Sequence, residues 1–265
     1  MINAIFSLKL FRSCSVLFLL LWCFVANAAI TTIEEAINKA GRQRMLSQRV
    51  AKAYIQIGLM GDHRLSRKVL AESVASIDQS LVELKAFAPT PLISDLYVRI
   101  EQKWRVLKAR VQDGTMTVQN AKAVLQASDD LLAQAELATK QFQLYSGKNL
   151  ARLVNIAGRE RMLSQKIAML AQAREWSLVV SSDELEGLRQ EFVKAMQILE
   201  SASETTPQIK VELSLAHGQW LFLNQAIQEK DLDRQVRIKN IATTSERILE
   251  ALDQVTAMYA NRHAN

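Results

Sequence analysis

Cysteine is nearly missing from this chain: of 265 residues only Cys14 and Cys23 carry a thiol. Both fall in an N-terminal stretch that reads as a targeting segment, so the chain beyond it is expected to hold no disulfide, thiol nucleophile, zinc–thiolate site or covalently attached c-type haem. Three prolines and eight glycines leave few breaks for turns, and strand-like alternation is missing, so little but helix is left to build with. Three histidines (His63, His217 and His263) have no partner at ligand spacing, which argues against a metal centre. Gly-rich phosphate loops do not occur. Aromatics make up 6% of the chain, and no basic cluster interleaves with them, so nucleic acid is not an expected partner. No catalytic constellation is visible either, and an enzyme is not expected.

Lys9 and Arg12 precede the apolar run Val16–Val25, and Ala26-Asn27-Ala28 is a small-residue cleavage site. Residues 1–28 therefore read as a signal peptide, and a periplasmic location follows. Leu20-Leu21-Trp22-Cys23 is a poor lipoprotein signal, because a small residue belongs before the cysteine. No later run is long and apolar enough to span a bilayer, so no transmembrane segment is expected once the signal is cleaved. The formal charge of +6 suits small anions or a membrane surface.

What the chain does have is one polar string written twice. Ala-Gly-Arg-x-Arg-Met-Leu-Ser-Gln occupies 40–48 and returns at 157–165, 117 residues later. From Ile37 to Lys52, 10 of 16 positions are identical in the second copy. At helical spacing Ile37, Gly41, Arg44, Gln48, Ala51 and Ile55 share one stripe, as do Val154, Gly158, Arg161, Gln165 and Ala168. A second stripe, Leu46, Val50, Ala53, Ile57 and Met60, is apolar. Glycine inside a helix costs about 1 kcal/mol relative to alanine, so its presence in both copies suggests close approach of another backbone. Two such helices crossing at Gly41 and Gly158 would bring Arg44 and Arg161 face to face. At 4 Å and an effective dielectric near 20 their repulsion is on the order of 4 kcal/mol. No carboxylate is common to the two strings, since Glu160 is matched by Gln43. A planar oxyanion between the two forks would offset the repulsion. The plain alternative is a wet, ordinary bundle face.

Asn-Lys-Ala-Gly-x-x-Arg-Met, with serine two residues after the methionine, resembles the P-box of the NarX/NarQ nitrate and nitrite sensor kinases. The fuller Ala-Gly-Arg-x-Arg-Met-Leu-Ser-Gln form resembles the PilJ-type domain at the N-terminus of type IV pilus chemotaxis transducers. The resemblance implies an antiparallel four-helix bundle whose first helices pair between subunits, with nitrate between two symmetry-related arginines. Those arginines would be Arg44 and Arg161, and the motif glycines Gly41 and Gly158. The lysine before Ala-Gly is Lys39, but Ile156 stands in the second copy. Gln48 and Gln165 replace the kinases' tyrosine, and Ser47 and Ser164 lie beside them. In that family ligand binding shifts the first helix against the fourth and the motion crosses the membrane; here no signalling coil or kinase follows in the sequence.

Helix punctuation divides the chain after the signal into two similar units, 29–146 and 147–265. Thr31-x-x-Glu34 reads as a capping box, Gly61-Asp62 as a turn, Thr90-Pro91 as a cap with proline at the first helical position, and Asp113-Gly114-Thr115 as a turn. Ser181-x-x-Glu184, Thr206-Pro207 and Lys230-Asp231 repeat the scheme, with Trp104 matched by Trp220 and Phe142 by Tyr259. The tryptophans read as core anchors. Ser146-Gly147-Lys148-Asn149 joins the units. A tight reversal there sets the bundles side by side with their first helices free to pair; a continuous helix stacks them end to end and leaves the pairing to a second chain. Glycine in the joint favours the reversal.

The expectation is thus an all-α protein of two tandem antiparallel four-helix bundles. Arg44, Arg161, Gly41, Gly158 and Lys39 would bind a small anion, nitrate or nitrite, with Gln48, Gln165, Ser47 and Ser164 behind them. No cofactor or metal is expected. The alternative is an interaction module that docks on a membrane chemoreceptor or sensor kinase and takes no small ligand.

Overall fold

The computed structural model describes residues 30–60, 64–229 and 231–264. The expected signal segment, the Gly61-Asp62 turn, His63, Lys230 and the His263 side chain lie outside what is described. Helix α1 runs Ile33–Met60, α2 Arg64–Phe87, α3 Pro91–Gln112 and α4 Val118–Ser146. The second series is α5 Asn149–Glu175, α6 Ser182–Ser201, α7 Pro207–Gln228 and α8 Arg234–Ala260, followed by a short 3₁₀ turn at Asn261–Ala264. No strand occurs among the described residues.

The helix starts follow from side-chain caps. Thr90 and Thr206 accept from the amides of Ile93 and Ile209, each with proline next in line, and Ser181 accepts from Glu184. At α1 the expected box is displaced by one residue. Thr32, not Thr31, accepts from the amide of Glu35 at 3.1 Å, and Glu35 rather than Glu34 answers by accepting from the amide of Thr31 at 3.0 Å. Two threonines followed by two glutamates allow either register, and the apolar stripe of α1 selects the one that turns Glu34 inward.

The joint makes the tight reversal. Gly147 takes a left-handed conformation, φ 66°, and its N–H closes on Gln143 at 3.1 Å. The chain then re-enters as α5. Arg42 and Arg49 of α1 pair with Asp253 and Glu246 of α8, so those helices run antiparallel. Arg161 and Gln165 of α5 reach Asp253 and Ser245, so α5 also runs antiparallel to α8. Helices α1 and α5 are therefore parallel, and theirs is the most extensive packing in the molecule. Around them α2 and α4 flank α1, α6 and α8 flank α5, and α3 and α7 lie on α4 and α8.

The two halves do not keep separate cores. One continuous cluster runs from Ile37 and Tyr54 of α1 through Leu153, Leu163 and Ile167 of α5 to the outer helices. Both central helices are buried on nearly every face. The anchors behave as read: Trp104 is buried and donates to Asp78 at 2.8 Å, while Trp220 stacks on Phe192 with ring centroids 4.3 Å apart. Phe142 and Tyr259 are wholly buried at matching places.

Candidate ligand site

Glycine sets the geometry of the seam. A β-carbon placed on Gly41 would lie 3.6 Å from the α-carbon of Gly158, and the converse distance is the same. Helix axes can approach this closely only where neither carries a side chain. Over the notch lie the Nη2 atoms of both arginines: those of Arg44 and Arg161 are within 3.5 Å of the Gly41 position and within 3.3 Å of the Gly158 position. The two guanidinium groups do converge, one from each half, and each is about 1% exposed.

Their partners repeat across the halves. Arg44 Nη1 donates to Glu136 of α4 at 2.8 Å, and Arg161 Nη1 donates to Asp253 of α8 at 2.6 Å. Arg44 Nη2 donates to the carbonyl of Asn155 at 3.0 Å; Arg161 Nη2 donates to the carbonyl of Asn38 at 3.1 Å and to its Oδ1 at 3.0 Å. Each carboxylate also serves a second arginine, from the opposite half. Arg42 of α1 donates to Asp253, and Arg159 of α5 donates to Glu136 and to Glu191. The acids thereby tie the halves together as well as neutralising the pair.

This corrects one step of the sequence argument. The motif copies share no carboxylate, but the fourth helices do, and Glu136 and Asp253 stand 117 residues apart like the arginines they hold. The arginines need no guest in order to stay. What remains unmet is specific: the Nε–H of Arg44 and the Nε–H of Arg161 are buried without an acceptor. An unpaired buried donor costs about 1–3 kcal/mol. The cluster also carries four guanidinium groups against the carboxylates of Glu136, Asp253 and Glu191. Burial pulls the basicity of Arg44 down, partly restored by Glu136. Arg161 is lowered to about 10 by burial, against the pull of Asp253, and stays charged at neutral pH.

The other expected residues divide. Ser47 and Ser164 donate to the carbonyls of Arg44 and Arg161 at 2.7 and 2.8 Å, locking the turn beneath each guanidinium. Gln48 and Gln165 donate to the carbonyls of Ser128 and Ser245 at 3.2 and 2.9 Å, pinning first helix to fourth within each half. Lys39 is not brought to the arginines. Its ammonium pairs with Glu83 of α2 at 2.7 Å and with Glu35 at 3.5 Å. The lysine lies one helical step off the seam stripe, so its charge is spent on the α2 side, and the isoleucine in the second copy does not unbalance the centre.

Sequence reasoning missed Arg42, Arg159, Glu136 and Asp253. The first two were in plain view as the leading arginine of Arg-x-Arg. The acids were detectable only by carrying the 117-residue spacing into the fourth helices, where neighbouring residues differ. Lys52 was also missed. It is fully buried and donates to Glu246 at 2.6 Å and Ser245 at 2.9 Å. Burial alone would raise the pKa of Glu246, but Lys52 and Arg49 hold it at about 2. Glu160 has no such help: both its oxygens are buried without a donor, and burial with nearby Glu191 pushes its carboxyl well above the usual range despite Arg159.

Fold and seam together define an all-α helix bundle whose central polar group is an arginine pair; among the described residues no cluster of three His, Cys, Asp or Glu could hold a metal. Residues 30–138, less than half of the chain, match the family model described as PilJ, Type IV pili methyl-accepting chemotaxis transducer N-term. The match runs from the start of α1 into α4. It is a sensing and signalling family. No match was found among curated proteins or among solved structures. No described helix is long and apolar enough to cross a membrane.

Proposed function

We propose that the chain is a periplasmic sensing module that holds one small planar oxyanion, of the nitrate or nitrite class, between Arg44 and Arg161. On this reading the second half, 147–265, is a further PilJ-like copy, and the single molecule supplies both halves of a site that the resembling family assembles from two subunits. The observation that carries it is the pair of unpaired, buried Nε–H groups at a notch where two guanidinium groups already converge. Nε–H and Nη2–H form one edge of a guanidinium, the edge that grips two oxygens of a carboxylate or nitrate. An anion at the notch would satisfy both Nε donors. It would draw the Nη2 atoms off the Asn38 and Asn155 carbonyls, which belong to the opposite first helix, and so loosen the hold of α1 on α5. That is a mechanical consequence a partner can read.

A second reading, an interaction module docking on a membrane chemoreceptor or sensor kinase without a small ligand, has its own support. Glu136 and Asp253 already neutralise the arginines, and both residues reach the surface. Thermal-shift titration with nitrate, nitrite, chloride and sulfate separates the two. The anion reading expects one triatomic or tetratomic planar oxyanion to raise Tm in the wild type and to do nothing in Arg44→Lys or Arg161→Lys. Equal responses to all four salts, or none, leave the docking reading standing.

A further inference from the structure

Apart from the seam, the two halves differ most on the outward face of their third helices. Counting from Trp104 and Trp220, which occupy equivalent buried places, α3 presents Asp95, Arg99, Gln102, Arg105 and Val106 where α7 presents Val211, Leu215, Gly218, Leu221 and Phe222. One face is charged; its counterpart is apolar. Val211, Leu215, Leu221 and Phe222 are each more than half exposed. In the 22 residues of α7 only Lys210 and Glu212 carry a formal charge. Its inward face, Ile209, Leu213, Ala216, Trp220 and Leu223, already fills the core, so the outward stripe is surplus to folding.

The spacing of the stripe is the same in both directions, with a glutamine at each end. Gln208, Val211, Leu215, Gly218, Phe222 and Gln225 follow helical steps of three and four along one face. Turned end for end about a point between Leu215 and Gly218, it places glutamine on glutamine, valine on phenylalanine and leucine on glycine. A β-carbon at Gly218 would meet nothing within 4 Å, so an open notch waits there for a side chain. A two-fold interface demands this kind of self-match, because residue i must meet j and j must meet i. The seam of the same molecule shows that a helix glycine on such a stripe lets another helix approach. The four apolar side chains would bury on the order of 400 Å² per copy, about half of what a standard interface takes from each partner. The grooves beside α7, about 420 Å³ against α8 and about 530 Å³ against α6, leave room for flanking contacts.

We infer that α7 is the docking surface for a second copy of this chain, packed antiparallel so that Leu215 of each copy enters the notch over Gly218 of the other. The pairing joins two complete molecules through the second halves and leaves the α1–α5 seam untouched.

The test uses the full chain with Cys14→Ser and Cys23→Ser, so that added cysteines are the only thiols. Sedimentation over a concentration series is expected to show a monomer–dimer equilibrium. Phe222→Glu should weaken it by roughly a hundredfold, two decades in dissociation constant. Val106→Glu, the same change on α3, should leave it alone. Melting curves of both variants should overlay the parent, since both positions are solvent-exposed. Mixing Gln208→Cys with Gln225→Cys should give a disulfide-linked dimer that neither variant forms by itself. A chain that stays monomeric at every concentration, a dimer indifferent to Phe222→Glu, or self-linking by either single cysteine variant would overturn the pairing. Monomers that bind lipid vesicles through this face would overturn it too.

Discussion

The two halves of this molecule agree around the arginine pair and differ away from it. Arg44 with Glu136 and the Asn155 carbonyl is repeated by Arg161 with Asp253 and the Asn38 carbonyl. Gln48 on Ser128 is repeated by Gln165 on Ser245. Away from that centre the copies part. Lys52 is matched by Met169, Gln43 by Glu160, and the charged face of α3 by the apolar face of α7. Gln43 donates to Ser80 at 3.0 Å, whereas Glu160 finds no donor. The two halves carry like residues around the arginine pair, and the likeness does not extend to every contact between them. The rest of each copy is free to take another duty or to carry strain.

That contrast can be attacked with substitutions. Arg161→Ala and Arg44→Ala break the symmetric centre, each leaving a carboxylate without its buried partner; losses of about 3 kcal/mol are expected, and urea unfolding should show them equal. Unequal losses would mean that the halves are not equivalent at the seam. Gly58→Ala probes a contact across the halves, between Gly58 of the first and Trp176 of the second. A β-carbon there would overlap the ring of Trp176, so the indole must move, at a cost of about 2 kcal/mol. The tyrosine–tryptophan contact, centroids 6.4 Å apart, would report the shift in fluorescence.

Glu160→Gln should move stability in the opposite direction. The folded state keeps this carboxyl protonated above the range where an unfolded glutamate, near 4.5, has released its proton. Folding therefore binds the extra proton, and stability falls as pH rises above about 4.5. The amide removes that slope, so the variant should gain about 1–2 kcal/mol at neutral pH and gain nothing at pH 4. A melting comparison at the two pH values decides it. The smallest effect belongs to Lys52→Met, which writes the second copy's residue into the first. Removing a buried ammonium while Arg49 still holds Glu246 at 2.6 Å should change stability by less than about 1 kcal/mol. The acid side is different. Glu246, held at about 2, lends stability above the ordinary glutamate range that disappears as pH falls toward 2.

The pairing of first helices was legible because glycine and arginine recur together, and the reversal because a glycine stands between two uninterrupted helical patterns. The arginines' neutralisation was not legible from the motif, since an ion pair is a relation between helices and the motif lies on one. Glu136 and Asp253 even differ in side-chain length, so identity matching passes over them. Lys39 failed for the related reason that a position in a motif fixes a face, and only the packed neighbour, here Glu83 of α2, fixes what the face meets. The apolar stripe of α7 was in the sequence as well, but reads as core until the structure shows the core already filled by its other side.

The account turns on the two unpaired Nε–H groups, and nuclear magnetic resonance of arginine side chains observes them directly. With ¹⁵N-labelled protein titrated with nitrate, the Nε–H resonances of Arg44 and Arg161, assigned through their lysine variants, should both move along one saturable curve with a single midpoint. If both stay fixed while nitrate reaches concentrations that perturb exposed arginines, the seam is a structural joint and holds no anion.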